Sequence, residues 1–146
     1  MITNGTIGTL LHHKGSTVWT IAATATVFEA IKFLAEKNIG ALPVMEGDHL
    51  MGIFSERDYT RKIALEGKSS KATPVREIIS TAVVAVSSED TIEDAMRLMT
   101  ENHIRHLPVI DDGKMVGLVS IGDMVNWIIS AQSATINQME SYLAGR

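Results

Sequence analysis

A mixed α+β fold assembled from two copies of one βαββα unit is what this sequence predicts, and three observations predict it. Shifted by 65 positions, the chain aligns with itself without a gap: Thr26, Ala30, Glu36, Ile39, Leu42, Pro43, Val44, Gly52, Ser55 and Asp58 fall on Thr91, Ala95, Glu101, Ile104, Leu107, Pro108, Val109, Gly117, Ser120 and Asp123. Each copy carries the same order of strand, helix and turn signals. The chain has 146 residues, 45% of them apolar, and no cysteine, enough to bury a core without disulfides or metal.

Each copy opens with a short β-rich run, Val18-Trp19-Thr20-Ile21 and Val83-Val84-Ala85-Val86. Thr26 and Thr91 then stand where helix N-caps are needed. Val27, Ala30, Ile31 and Leu34, and in the second copy Ile92, Ala95, Met96 and Met99, recur at helical spacing and predict core-facing helices. Leu42-Pro43-Val44 and Leu107-Pro108-Val109 start strands with a proline where no ladder donor is needed. Glu46-Gly47-Asp48 and Asp111-Asp112-Gly113 turn the chain into a second strand, Leu50 to Phe54 or Met115 to Val119. Ser55 and Ser120 are then placed to cap a second helix. The expected organisation is a first repeat at 8–66, a linker at 67–74, a second repeat at 75–131 and a C-terminal helical extension at 132–146, with a helical segment also at the N-terminus. In the C-terminal segment Val125, Ile128, Ile129, Ile136, Met139 and Leu143 lie near helical spacing. That face either packs back on its own repeat or meets a second subunit.

Charge narrows the function. Thirteen Lys and Arg face seventeen Asp and Glu, a net charge of -4, so nucleic acid is not an expected partner. No apolar run approaches the roughly 20 residues of a membrane span, and the N-terminus lacks the layout of a signal peptide; the expected location is the cytoplasm. The five histidines form no ligand spacing that would hold a metal. Gly67-Lys68-Ser69 lacks the strand and glycines of a phosphate-binding loop. Ser120, His106 and Asp123 have the residue types of a hydrolase triad without its strand-turn-helix setting; no catalytic residue is expected.

Gly52-Ile53-Phe54-Ser55-Glu56-Arg57-Asp58 and Gly117-Leu118-Val119-Ser120-Ile121-Gly122-Asp123 are the informative segments. Each sets a hydroxyl and a carboxylate at one helix start, where backbone N–H groups can hold a phosphate and the carboxylate a ribose. Both residues can equally serve as helix caps alone. Arg105-His106 stands in the second copy where the first has Gly40-Ala41, so two such sites cannot be equivalent. Six basic residues between Arg57 and Arg76, against Asp58 and Glu66, form a local excess that suits phosphates or is simply solvated.

The paired βαββα units, the Leu-Pro-Val strands and the Gly-x-x-Ser-x-x-Asp endings resemble a tandem of CBS (cystathionine β-synthase) domains, a Bateman module, from about Gly8 to Ser130. Lys14-Gly15, Val18-Trp19 and the run Phe54 to Tyr59 are similar to small stand-alone bacterial proteins made only of this module. The resemblance implies two repeats packed with pseudo-twofold symmetry and adenine-nucleotide ligands in clefts that the repeats share. One cleft would join Thr17, Trp19, Ile39 and Ala41 to Arg105, His106, Ser120 and Asp123, with Lys14 near the phosphates. The other would join Ile79, Ala82, Val84, Ile104 and His106 to Ser55, Arg57 and Asp58, with Arg61 or Lys62 as further phosphate contacts. AMP is the first expected ligand, with NAD(H), ADP or ATP as others and no metal. The function implied is a homodimeric sensor that regulates an unidentified protein. A ligand-free scaffold dimer and a nucleotide hydrolase are the alternatives.

Overall fold

The computed structural model describes residues 5–15, 17–79 and 82–144, without the side chains of 132–138, 141, 142 and 144. It divides into two compact units, Thr17–Val84 and Met1–Ser16 with Ala85–Arg146. Each unit contains one repeat.

In the first-repeat unit β1 (Ile21–Ala22) runs parallel to β2 (Ala41–Glu46), which pairs antiparallel with β3 (His49–Ser55). The helix α2 (Val27–Lys37) links β1 to β2 and buries Val27, Ala30 and Leu34, the face that the periodicity picks out. These side chains meet Leu42, Val44 and Phe54 of the hairpin in one apolar cluster. Pro43 sits on β2 beyond the end of β1, whose partners are Val44 and Met45, so its missing N–H costs no ladder bond. A short helix, α3 (Glu56–Tyr59), continues into a π-helical turn at Thr60–Ala64.

The second-repeat unit repeats the helix and hairpin of this layout. The helix α4 (Ile92–Asn102) leads to β4 (His106–Asp111) and β5 (Lys114–Ser120), with the ladder irregularity after Val109 answering the one after Val44. Thr26 Oγ1 accepts the Glu29 N–H at 3.1 Å and Thr91 Oγ1 the Asp94 N–H at 3.0 Å, caps of about 1 kcal/mol each. Both helices end on a left-handed residue, Asn38 and His103, each at φ 54°.

Two sequence expectations need correction. The first opening strand begins at Ile21 rather than Val18, and Val83–Val86 forms only the single parallel bridge Val86–Val109. The reason is length: β1 reaches only Val44 and Met45 of β2, and no ladder partner extends along Val18–Thr20. The segment at 67–74 also meets the start of α2, where Val27 N–H donates to Thr73 O and Phe28 N–H to Ser70 O.

The helix α1 (Ile7–Lys14) packs on the second-repeat unit, with Ile7 and Leu10 buried. Ile7 N–H donates to Asp90 O and Gly8 N–H to Ser88 O; in the first-repeat unit Val75 and Arg76 make the corresponding bonds to Ala25 and Ala23. Leu11 lies so close to β5 that a Cβ on Gly117 would stand 2.7 Å from its methyl carbon. From Ser120 the helix α5 (Ile121–Ala144) runs for 24 residues. It buries Met124 and exposes Val125, Ile129, Met139 and Leu143. Among the described residues no helix is long and apolar enough to cross a membrane.

Candidate nucleotide site

The site in the second-repeat unit is built where β4, β5 and the start of α5 meet. His106 and Ser120 face each other across the β4–β5 ladder, which sets their side chains on one face of the hairpin. Ser120 and Asp123 exchange bonds: Ser120 N–H donates to Asp123 Oδ2 at 2.8 Å, and Asp123 N–H to Ser120 Oγ at 3.1 Å. This reciprocal cap holds the carboxylate still at the helix N-terminus, the positive end of the backbone dipole. Ile121 N–H donates to Arg105 O at 2.9 Å, fixing the chain next to His106.

Lys14, at the last turn of α1, completes the cluster. Its Nζ lies 2.7 Å from Asp123 Oδ2 and donates to Leu118 O at 2.7 Å. His106 is pushed below its ordinary 6.5, first by burial and then by the Lys14 charge, with Arg105 adding and Asp123 opposing. Lys14, Arg105, His106, Ser120 and Asp123 thus form one polar group with a cationic excess. Of the expected residues in this unit, Ile104 precedes them as a half-buried side chain between α4 and β4.

The corresponding group in the first-repeat unit has the same cap and fewer cations. Ser55 N–H and Oγ–H donate to Asp58 Oδ2 at 2.9 and 3.0 Å, and Asp58 N–H donates to Ser55 Oγ at 3.3 Å. Glu56 N–H donates to Gly40 O, so Gly40-Ala41 holds the backbone of Arg105-His106 without its side chains. Arg57 is exposed at the start of α3. Lys62, in the π-helical turn, reaches Asp58 Oδ1 at 3.4 Å and donates to Ile78 O at 2.7 Å. The Asp58–Lys62 spacing of four residues is the signal that finds this pair in the sequence.

The remaining expected residues belong to the Thr17–Val84 unit. Thr17 and Trp19 precede β1, Ile39 and Ala41 flank the start of β2, and Ile79, Ala82 and Val84 follow the short 3-10 turn at Val75–Glu77. Trp19 is 42% exposed; its ring packs edge-on against Phe33 at 6.0 Å with Lys37 Nζ 4.1 Å above it. The Trp127 ring lies 5.5 Å from the ring of His13, one residue before Lys14. Among the described residues no group of three or more His, Cys, Asp or Glu side chains is placed to hold a metal ion.

Comparison with known proteins matches residues 16–65 and 75–130 to the CBS domain. A mitochondrial CBS domain-containing protein of Arabidopsis thaliana, CBSX3, is 40% identical over 136 residues, covering 90% of this chain and 66% of that protein. The CBS domain-containing protein YhcV of Bacillus subtilis (strain 168) is 34% identical over 128 residues, 88% of this chain and 84% of the relative. A solved protein with CBS domains from Burkholderia ambifaria MC40-6 is 46% identical, with a TM-score of 0.83 over 86% of this chain and 95% of that one. The chain therefore belongs to the CBS domain family, with two copies of the domain in tandem.

Proposed function

We propose that the chain is a regulatory module that binds an adenine nucleotide, AMP first, and passes the binding event to a separate protein. The observation that carries this reading is the group of Lys14, Arg105, His106, Ser120 and Asp123 at the start of α5. Its cations and helix N-terminus suit a phosphate, and the fixed carboxylate of Asp123 suits the two ribose hydroxyls. A CBS domain pair with this fold, 24% identical and with a TM-score of 0.73, was solved with 5′-methylthioadenosine and S-adenosyl-L-methionine, which supports an adenosine-bearing ligand. Ser120 Oγ accepts the Asp123 N–H as a helix cap, and in this reading the module regulates rather than catalyses.

The group at Ser55, Arg57 and Asp58 binds the same ligand class more weakly, because Gly40-Ala41 supplies no cationic side chain. The module is a homodimer in this reading, its second copy covering the apolar face of α5. Native mass spectrometry of freshly purified protein tests both statements. A bound mass of an adenine nucleotide on a two-subunit species is expected. Protein that stays free of ligand when AMP, ADP, ATP and NADH are each added at millimolar concentration would leave the scaffold reading in its place.

A further inference from the structure

We propose that α5 is one strand of a parallel two-stranded coiled coil, whose other strand is α5 of a second copy of the chain, paired along Val125, Ile129, Gln132, Ile136, Met139 and Leu143. The inference rests on the reading of the module as a homodimer and adds which rows meet and in which direction. Steps of four and three residues alternate along this row without exception. That is the 3.5-residue period of a heptad seam, with Ile129, Ile136 and Leu143 at the a positions and Val125, Gln132 and Met139 at the d positions. An unstrained α-helix repeats every 3.6 residues, so such a row stays on one line only when the helix winds around a partner.

Two separate apolar faces run along α5. One is used within its own unit: Met124 is fully buried, the Trp127 ring lies beside Gly5 and His13, and the helix packs on α1, α4 and β5. The other is the heptad row, whose Val125, Ile129, Met139 and Leu143 are each 44–61% exposed, so it is not a part of the core that holds the repeat together. Nor does it end with the repeat. The family match stops at residue 130, whereas α5 continues to Ala144, and Met139 and Leu143 lie on that added length. From Val125 to Leu143 the row spans about 27 Å.

Charge and area select a second copy as the occupant. Along the 24 residues of α5 the charged side chains are Asp123 and Glu140 alone, so the row offers nothing to a charged helix and meets its own copy without repulsion. At roughly 80 Å² for each half-exposed apolar side chain, a row of this length on two copies offers about 1,000 Å², the lower bound for a stable interface. Residue types set the direction. Isoleucine at the a positions favours two parallel strands. Parallel pairing sets Gln132 level with its own copy, glutamine against glutamine, whereas antiparallel pairing sets d positions against a positions and opposes it to isoleucine or leucine. Asp123 lies two residues before Val125, so parallel pairing brings the two second-repeat helix starts to one end of the seam.

The chain has no cysteine, which makes disulfide trapping of single-cysteine variants a direct test. Val125→Cys, Met139→Cys and Ser130→Cys, the last an exposed position beside the row, are oxidised mildly and followed on non-reducing gels, with light scattering of the parent at the same concentration. Val125→Cys and Met139→Cys should each form covalent dimers about tenfold or more faster than Ser130→Cys, because seam thiols face each other at high effective concentration. A mixture of Val125→Cys and Leu143→Cys proteins should form no mixed disulfide. Mixed disulfides in that mixture would show antiparallel strands and overturn the proposal. A parent that is dimeric while Met139→Cys reacts no faster than Ser130→Cys would overturn the coiled coil and leave the homodimer reading intact. A monomeric parent would overturn both.

Discussion

Asp123 is the residue on which capping and the proposed ligand binding can be separated, because the cap needs one acceptor oxygen whereas the proposed ribose contact needs the charged carboxylate. Asp123→Ala removes the acceptor of the Ser120 N–H and the partner of Lys14 at once. The cap accounts for about 0.5–2 kcal/mol. The ion pair, with side chains 36% and 21% exposed, adds less than about 1 kcal/mol after solvent screening. The expected loss is about 1–2 kcal/mol, or roughly 2–8 °C in Tm for a chain of this length. Asp123→Asn keeps one acceptor oxygen for the cap, and its stability should fall by less than about 1 kcal/mol. Both variants lose the charged acceptor proposed for the ribose, so on that proposal AMP should bind about ten- to a hundredfold more weakly to each, the equivalent of about 1.5–3 kcal/mol. Urea unfolding gives the first quantity and calorimetry the second. Asp123→Asn binding AMP as tightly as the parent would refute ribose recognition and leave Asp123 a cap. An unchanged urea midpoint in Asp123→Ala would refute the cap's contribution.

The remaining predictions concern pH, assembly and the N-terminal helix. His106 is lowered in the folded chain by burial, then by Lys14 and Arg105, so the unfolded chain binds more protons between the folded value and 6.5. Stability should therefore be complete above 6.5 and fall as pH drops through that window, and His106→Asn should flatten the slope seen in urea midpoints measured from about pH 5 to 8. AMP affinity should rise as pH falls through the same window, because a bound phosphate favours the imidazolium, and His106→Asn should abolish that rise too. Ile129 is 54% exposed on α5; Ile129→Asp should shift light scattering from dimer to monomer with the circular dichroism unchanged, and a dimer that persists would place the interface elsewhere. A chain beginning at Thr17 loses the buried Ile7 and Leu10, worth about 3–6 kcal/mol together. Hydrogen exchange should then accelerate across β4 and β5 and not across β2 and β3.

Much of this was legible in the sequence because the repeat makes every local signal appear twice. Threonine caps, Leu-Pro-Val strands and Ser–Asp endings fall on corresponding elements, and the two helices bury the same three positions. The opening strands were not legible. Val18–Ile21 and Val83–Val86 have the composition of strands, but a strand exists only as far as a partner reaches, and here that partner covers two residues in one repeat and one in the other. The Ser–Asp–Arg–His part of the site was legible from the motif alone. Lys14 could be assigned only through family resemblance, since no periodicity connects a residue before the first repeat with the end of the second.

That connection follows from how the chain completes its two units. The first repeat is finished by the segment that follows it: Val75 and Ile78 are buried beneath α2 and the hairpin. The second is finished by the segment that precedes both repeats, since Ile7 and Leu10 are buried within its unit. The matching bonds of Ile7 and Val75, and of Gly8 and Arg76, run three residues out of step with the main repeat, which is why a single shift of the sequence against itself does not reveal them. At the fourth residue after Leu10 the N-terminal segment places a lysine on Asp123. The corresponding segment of the first repeat, after Ile78, carries Ala82 at that position, and the lysine for Asp58 is drawn instead from the π-helical turn. The two sites therefore share a scaffold and a carboxylate but differ in the tether of the cation: Lys62 is held within its own helical turn, whereas Lys14 sits at a helix end followed by Gly15 at φ 99°.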